Sequence, residues 1–166
     1  MEDLNEEVSS FAEKIDIFIE CDDIKSLICF RDKLNETIST ECNISETERS
    51  ALTYYLANIF QHLGLKSNDR WDNSNYGNAI ICHRKFYKYE AKASELLPQV
   101  EVNHANTLST LGRTFEAIPL WKKALLILGM PKKLGFIDLQ MVYFGFLTFY
   151  MMKSIFITTS YMHTTM

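Results

Sequence analysis

The chain lacks several features that would assign it quickly, and each absence removes a class of protein. It has four cysteines, Cys21, Cys29, Cys42 and Cys82, but no Cys-x-x-Cys pair. A zinc site built on short cysteine spacings is therefore excluded, and the scattered thiols read as free, buried side chains of a reducing compartment. Residues 1–7 have neither a basic start nor an apolar core, so they are not a secretory signal, and a cytoplasmic setting is expected. Positive charge is scarce where it would matter for nucleic acid: residues 1–50 hold fourteen acidic and five basic side chains, a balance of −9 against −4 for the whole chain. The remainder carries +5 without a basic stripe in its sequence, so nucleic acid is not an expected partner of this chain. The charge-free run at 139–152 is short of the roughly twenty residues a membrane span requires.

What is present is helical periodicity on an apolar fraction of 47%, enough for a sizeable core in one domain of 166 residues. Leu4, Val8, Phe11, Ile15 and Ile19 recur at spacings of three and four with charged residues between them, an amphipathic helix. Asp22 or Asp23 can cap a second helix carrying Ile24, Leu27, Ile28, Leu34 and Ile38, which makes residues 1–42 an acidic helical hairpin. Ser45 and Glu48 form a capping box for a third helix running from about Glu46 to Leu63 and ending at Gly64. A fourth is expected from about Asn78 to Leu96, with Ile80, His83, Tyr87, Ala91 and Ser94 on one side. Pro98 breaks the chain before a fifth helix, and Pro119 favours a start near Glu116 for the sixth.

An internal repeat connects these helices. Ala57-Asn58 precedes Gly64 by the same intervals at which Ala105-Asn106 precedes Gly112, and Ala117 and Ala124 lie seven apart on the returning helix with Trp121 between them. Small residues at these positions let antiparallel helices touch. The spacing resembles the tetratricopeptide repeat (TPR), a helical hairpin that stacks on its neighbours. That resemblance implies an all-α fold, TPR-like hairpins stacked as a short right-handed α-solenoid over residues 43–130. The first repeat holds a polar surplus of ten residues at its turn, an inserted loop at 65–77 with Trp71 in it. Trp71 is expected to be pinned back on the hairpin, the alternative being an exposed anchor for a partner.

Residues 131–166 break the pattern. They are rich in Met, Phe and Tyr, and three readings stay open. One is a tail anchor, against which Asp138 and Lys153 bound the uncharged run. Another is a helix buried on the last repeat. The third is a tail out of its native frame, since Met151-Met152-Lys153 read one base earlier gives Asp and then Glu, and the alternative frame can read Leu-Tyr-Asp-Glu-Lys.

A narrower resemblance follows from the order of an Ala57-Asn58 helix, a polar insertion with Trp71-Asp72, a basic helix at His83-Arg84-Lys85, and then Asn103, Asn106, Ser109, Gly112-Arg113, Glu116-Ala117-Ile118 and Trp121. Over residues 45–130 this is similar to the TPR region that precedes a C-terminal HEPN domain in certain large prokaryotic proteins. HEPN domains of that class often cleave RNA through Arg and His four to six residues apart, and none of Arg31, Arg49, Arg70, Arg84 or Arg113 is followed by such a histidine. The expectation is thus a relative truncated or frameshifted before its catalytic domain, not an enzyme and without a cofactor.

The resemblance places the first helix of each hairpin along a groove. There Asn58 and Asn106, with Tyr54 and Asn103 a turn earlier, would bind an extended peptide, because a side-chain amide pairs with both donor and acceptor of a backbone. The alternative is an ordinary polar helix face. No basic residues stand beside them to clamp a terminal carboxylate. His62, His83, His104 and His163 share no spacing and read as solvated or core histidines, and Glu2, Asp3, Glu6, Glu7, Glu13, Asp16 and Glu20 as the wet face of the first helix. The expected partner is a protein or peptide rather than a membrane. Two repeats are fewer than the three usually needed, so the expectation is that the N-terminal hairpin supplies a third layer or that the chain needs a partner or self-association to be stable.

Overall fold

A computed structural model describes residues 6–40, 44–67 and 74–127, all within one unit of the chain, residues 1–129. These residues form six α-helices and no strand: α1 (Glu6–Glu20), α2 (Ile24–Thr40), α3 (Glu46–Lys66), α4 (Ser74–Lys88), α5 (Leu97–Thr110) and α6 (Thr114–Ile127), with one 3-10 turn at Ser94–Leu96. The all-α class follows directly. Residues 131–166, Trp71, Cys42 and His163 lie outside the described residues, so the three readings of the tail and the placing of Trp71 do as well. No described helix is long and apolar enough to cross a membrane.

The helices pair as antiparallel neighbours, α3 with α4 and α5 with α6, while α1 and α2 pack on α3. α3 is enclosed. Ala51 to Ala57 are buried without interruption, which is why its sequence, Ala-Leu-Thr-Tyr-Tyr-Leu-Ala, shows no polar stripe. Val8, Phe11 and Ile15 of α1 and Leu27, Leu34 and Ile38 of α2 close one side of it in a common apolar cluster. The rings of Phe11 and Phe18 flank Phe30 at 5.3 and 5.8 Å. A smaller cluster of Ile80, Ala105, Leu108, Ala117 and Trp121 joins α4 to the α5–α6 pair. Ala57, Ala105 and Ala117 are 0% exposed and Ala124 is 1%, so the small residues that mark the internal repeat do sit at helix contacts.

Local chemistry sets the ends. Ser45 Oγ accepts from the Glu48 amide at 3.2 Å and the Ser45 amide donates to Glu48 Oε2 at 2.9 Å, a complete capping box on α3. Asp23 caps α2 through the Ser26 amide at 3.1 Å. Asp22 takes the other role, adopting a left-handed φ of 54° at the end of α1. The Asp23 amide then reaches Phe18 O and the Asp22 amide Ile19 O. Gly112, φ 75°, makes the same double closure after α5, with Arg113 N to Leu108 O and Gly112 N to Ser109 O both at 2.9 Å. The first and last hairpins therefore turn alike. Gly112→Ala is expected to lower stability by about 1 kcal/mol in urea denaturation, the cost of a Cβ in that conformation.

Gly64 does not terminate its helix, contrary to expectation. α3 runs two residues beyond it to Lys66. A Cβ at Gly64 would lie 2.9 Å from the buried Tyr76 ring of α4, so the glycine serves close helix approach instead. Of the 65–77 stretch expected as loop, α3 takes Leu65 and Lys66 and α4 takes Ser74 to Gly77. Gly64→Ala should cost about 1–3 kcal/mol by overpacking, with a lower thermal midpoint as the readout.

Two further boundaries depart from the sequence reading. α4 ends at Lys88 rather than Leu96, because the amides that would extend it are bonded by α3. The Ala91 amide donates to Glu46 Oε2 and the buried Ala93 amide to Ser50 Oγ, both at 2.8 Å. Ser50→Ala would leave the Ala93 donor buried without an acceptor, a loss of about 1–3 kcal/mol measurable by denaturant unfolding. α6 starts at Thr114, not near Glu116, and holds Pro119 inside. The missing amide leaves the Phe115 carbonyl without its helical donor. Pro119 is exposed, so water can serve that carbonyl.

Candidate functional site

Three of the four expected site residues meet between α3 and α5. Both amide hydrogens of Asn103 are used: Nδ2 donates to Tyr54 Oη at 3.1 Å and to Asn58 Oδ1 at 2.9 Å. Tyr54 is buried, and the two asparagines are half-buried. Thr107 Oγ1 donates to the Asn103 carbonyl at 2.8 Å, a bond within α5. These bonds use the Asn103 side-chain nitrogen and the Asn58 side-chain oxygen, and they leave one acceptor, Asn103 Oδ1, and one donor, Asn58 Nδ2, on adjacent amides. Around them the accessible residues of α5, Gln99, Val102, Asn106, Ser109 and Thr110, carry no charge.

Asn106 is not part of this cluster. Its Oδ1 accepts from Trp121 Nε1 at 3.1 Å, which satisfies the indole of a buried tryptophan and fixes α6 on α5. The repeat equates Asn58 with Asn106, but their side chains do different work.

Below the amide cluster runs a line of rings. Tyr54 and His83 lie 6.4 Å apart between centroids, His83 and His104 stack at 5.2 Å, and His104 and Tyr87 follow at 5.9 Å. Lys123 Nζ caps the line 5.2 Å from the Tyr87 ring and pairs with Glu101, whose side chain is 0% exposed. The line thus threads α3, α4, α5 and α6. His83 is fully buried, and neither its nitrogens nor those of His104 have a hydrogen-bond partner among the described residues. Burial pushes His83 down to about 3, with the neighbouring His104 adding to the shift. Burial also pushes His104 down to about 4, helped by Arg84 and Arg113 and opposed by Glu116. Both imidazoles are therefore neutral near pH 7. Tyr87 is held well above the ordinary tyrosine range by burial and by the Glu101 carboxylate, so its hydroxyl keeps its proton.

The sequence reading treats the histidines as unrelated and misses this stack. The available signal is the i, i+4 pairing of His83 with Tyr87 on α4 and the i, i+3 pairing of Glu101 with His104 on α5, faces that meet only once the two hairpins are packed. His62 lies elsewhere, 3.8 Å from Asp22, which Lys66 also bridges at 2.8 Å. Burial lowers the pKa of His62.

Cys82 is buried and its thiol is pushed up to about 11 by burial, far from a reactive thiolate. Cys21 and Cys29 are free and exposed, against the expectation of buried thiols. No group of three or more His, Cys, Asp or Glu suited to a metal ion occurs among the described residues. Glu13, Asp16 and Glu20 are exposed on α1. One exposed basic face does appear on α4, where Arg84, Lys85 and Lys88 stand on the solvent side, although the sequence alone shows no basic stripe. Comparison of the chain with family models, with curated proteins and with solved structures finds no match.

Proposed function

We propose that this chain is a non-catalytic interaction scaffold that holds an extended peptide segment over Tyr54, Asn58 and Asn103, with α3–α4 and α5–α6 acting as TPR-like hairpins of a short right-handed solenoid. The observation that carries the reading is the Asn103 amide. With both hydrogens engaged by Tyr54 and Asn58, it is locked in orientation, and the remaining acceptor on Asn103 and donor on Asn58 match the N–H and C=O of one extended residue. The uncharged surroundings on α5 favour an internal, neutral segment of a protein over a charged terminus. Helical pairing α3–α4 and α5–α6 with buried alanines at the repeat positions supports the solenoid.

The test is selection of neutral peptides against the full chain from a displayed library, followed by titration of the winners. Asn58→Ala and Asn103→Ala should each weaken binding by about tenfold or more, equivalent to one or two backbone hydrogen bonds. Equal affinity for the parent and for both variants would remove the groove. Asn106→Ala, by contrast, should loosen Trp121 and lower stability, visible as a red shift of indole emission.

A further inference from the structure

Two helices of this chain carry exposed stripes of opposite sign at the same helical spacing. On α1, Glu13, Ile17 and Glu20 follow one another at four and three residues, so they share one side of the helix. All three are exposed, Ile17 by 55%. On α4, Ile81, Lys85 and Lys88 repeat that spacing, again exposed, Ile81 by 63%. Neither glutamate and neither lysine of these two stripes has an ion-pair partner among the described residues. α4 contains no acidic residue. Each stripe thus offers one branched apolar side chain beside two unpaired charges of like sign, and the signs are opposite.

From this complementarity we propose that the α4 face (Ile81, Lys85, Lys88) receives the α1 face (Glu13, Ile17, Glu20) of a second copy of the chain. The occupant is written into the same sequence, whose first fifty residues carry −9 while the rest carries +5. The two isoleucines lose water on contact, and the like charges within each stripe exchange mutual repulsion for attraction across the junction. One such contact leaves the α1 face of one copy and the α4 face of the other unoccupied, and these either close on each other reciprocally in a two-fold dimer or recruit further copies head-to-tail as concentration rises. Rim charges of this type are screened by salt.

Sedimentation velocity of the full chain, at low and at high salt over a wide concentration range, reads this out. The parent should show a weight-average sedimentation coefficient that climbs with concentration at low salt and falls back to the monomer value at high salt. Glu13→Lys/Glu20→Lys and Lys85→Glu/Lys88→Glu should each weaken self-association by at least about tenfold. Their equimolar mixture should associate again, since the reversed faces of one variant match those of the other, and the chain carrying all four changes should recover the parent's behaviour. These side chains are exposed, and helical circular dichroism should be unchanged in every variant. A parent that stays monomeric at low salt, an assembly that disappears with nuclease treatment, or a mixture no more associated than its components overturns the proposal.

Discussion

Lowering the pH from 7 to 5 should remove on the order of 4 kcal/mol of stability, because below about pH 6.5 each of two buried imidazoles loses roughly 1.4 kcal/mol per pH unit. His83 and His104 sit at about 3 and about 4 in the fold, below the 6.5 of an unfolded histidine. Between those values the unfolded chain binds protons that the folded chain does not. The contribution is therefore complete above about pH 6.5 and is lost as pH falls toward 4 and then 3. Protonating either ring in place would set a cation against its stacked neighbour at 5.2 Å, and a charged His104 would also meet the repulsion of Arg84 and Arg113, with Glu116 opposing it. Tyr54 and Tyr87 face the pair with rings only, and the Glu101 carboxylate beyond Tyr87 is already matched to Lys123. His62, also lowered by burial, adds in the same direction. Urea denaturation at pH 7.5 and at pH 5 measures the loss. His104→Phe keeps a stacking ring without a titrating nitrogen and should flatten the pH dependence by about half, whereas an unchanged slope would contradict the role assigned to the stack.

The second large effect belongs to Lys123. Removing its ammonium leaves the fully buried Glu101 carboxylate unpaired, which costs about 2–4 kcal/mol once the partial exposure of the lysine is allowed for. Lys123→Met retains the aliphatic stem over Tyr87 and isolates the charge, while Lys123→Ala also loses packing. Adding Glu101→Leu to Lys123→Met should restore most of the stability, because no uncompensated charge then remains. Denaturant midpoints of the two single variants and the pair give the coupling directly. Additive losses in the double variant would mean that the two side chains do not act on each other.

Much of the helical layout is legible from residue spacing because each amphipathic helix carries its own record of burial. Val8, Phe11 and Ile15, then Leu27, Leu34 and Ile38, are inside where their period places them, and the Ser45–Glu48 box is visible as four adjacent letters. What escapes depends on residues far apart in the chain. The end of α4 is set by Glu46 and Ser50 reaching amides more than forty residues away. Gly64 and Gly112 each follow a leucine and stand at the same interval after Ala-Asn, yet one admits the Tyr76 ring and the other turns the backbone to a φ of 75°. For the candidate site, Tyr54, Asn58 and Asn103 are brought together by the α3–α5 contact, and Asn106 is diverted to Trp121. The histidine stack leaves only the His83–Tyr87 and Glu101–His104 spacings as its trace within the two helices, and those faces meet only when the hairpins pack.

The enclosure of α3 has a kinetic consequence. A helix whose residues Ala51 to Ala57 are covered by α1, α2, α4 and α5 together exposes its amides to solvent deuterium only when several neighbours depart at once. Its protons should be the last to exchange, at the rate of global opening, and peptides from this segment should label in step with one another while the outer turns of α1 and α6 label early. Such a backbone acts as a keel for the flanking hairpins, and a protease that nicks a peripheral connection would leave the severed parts gripping it.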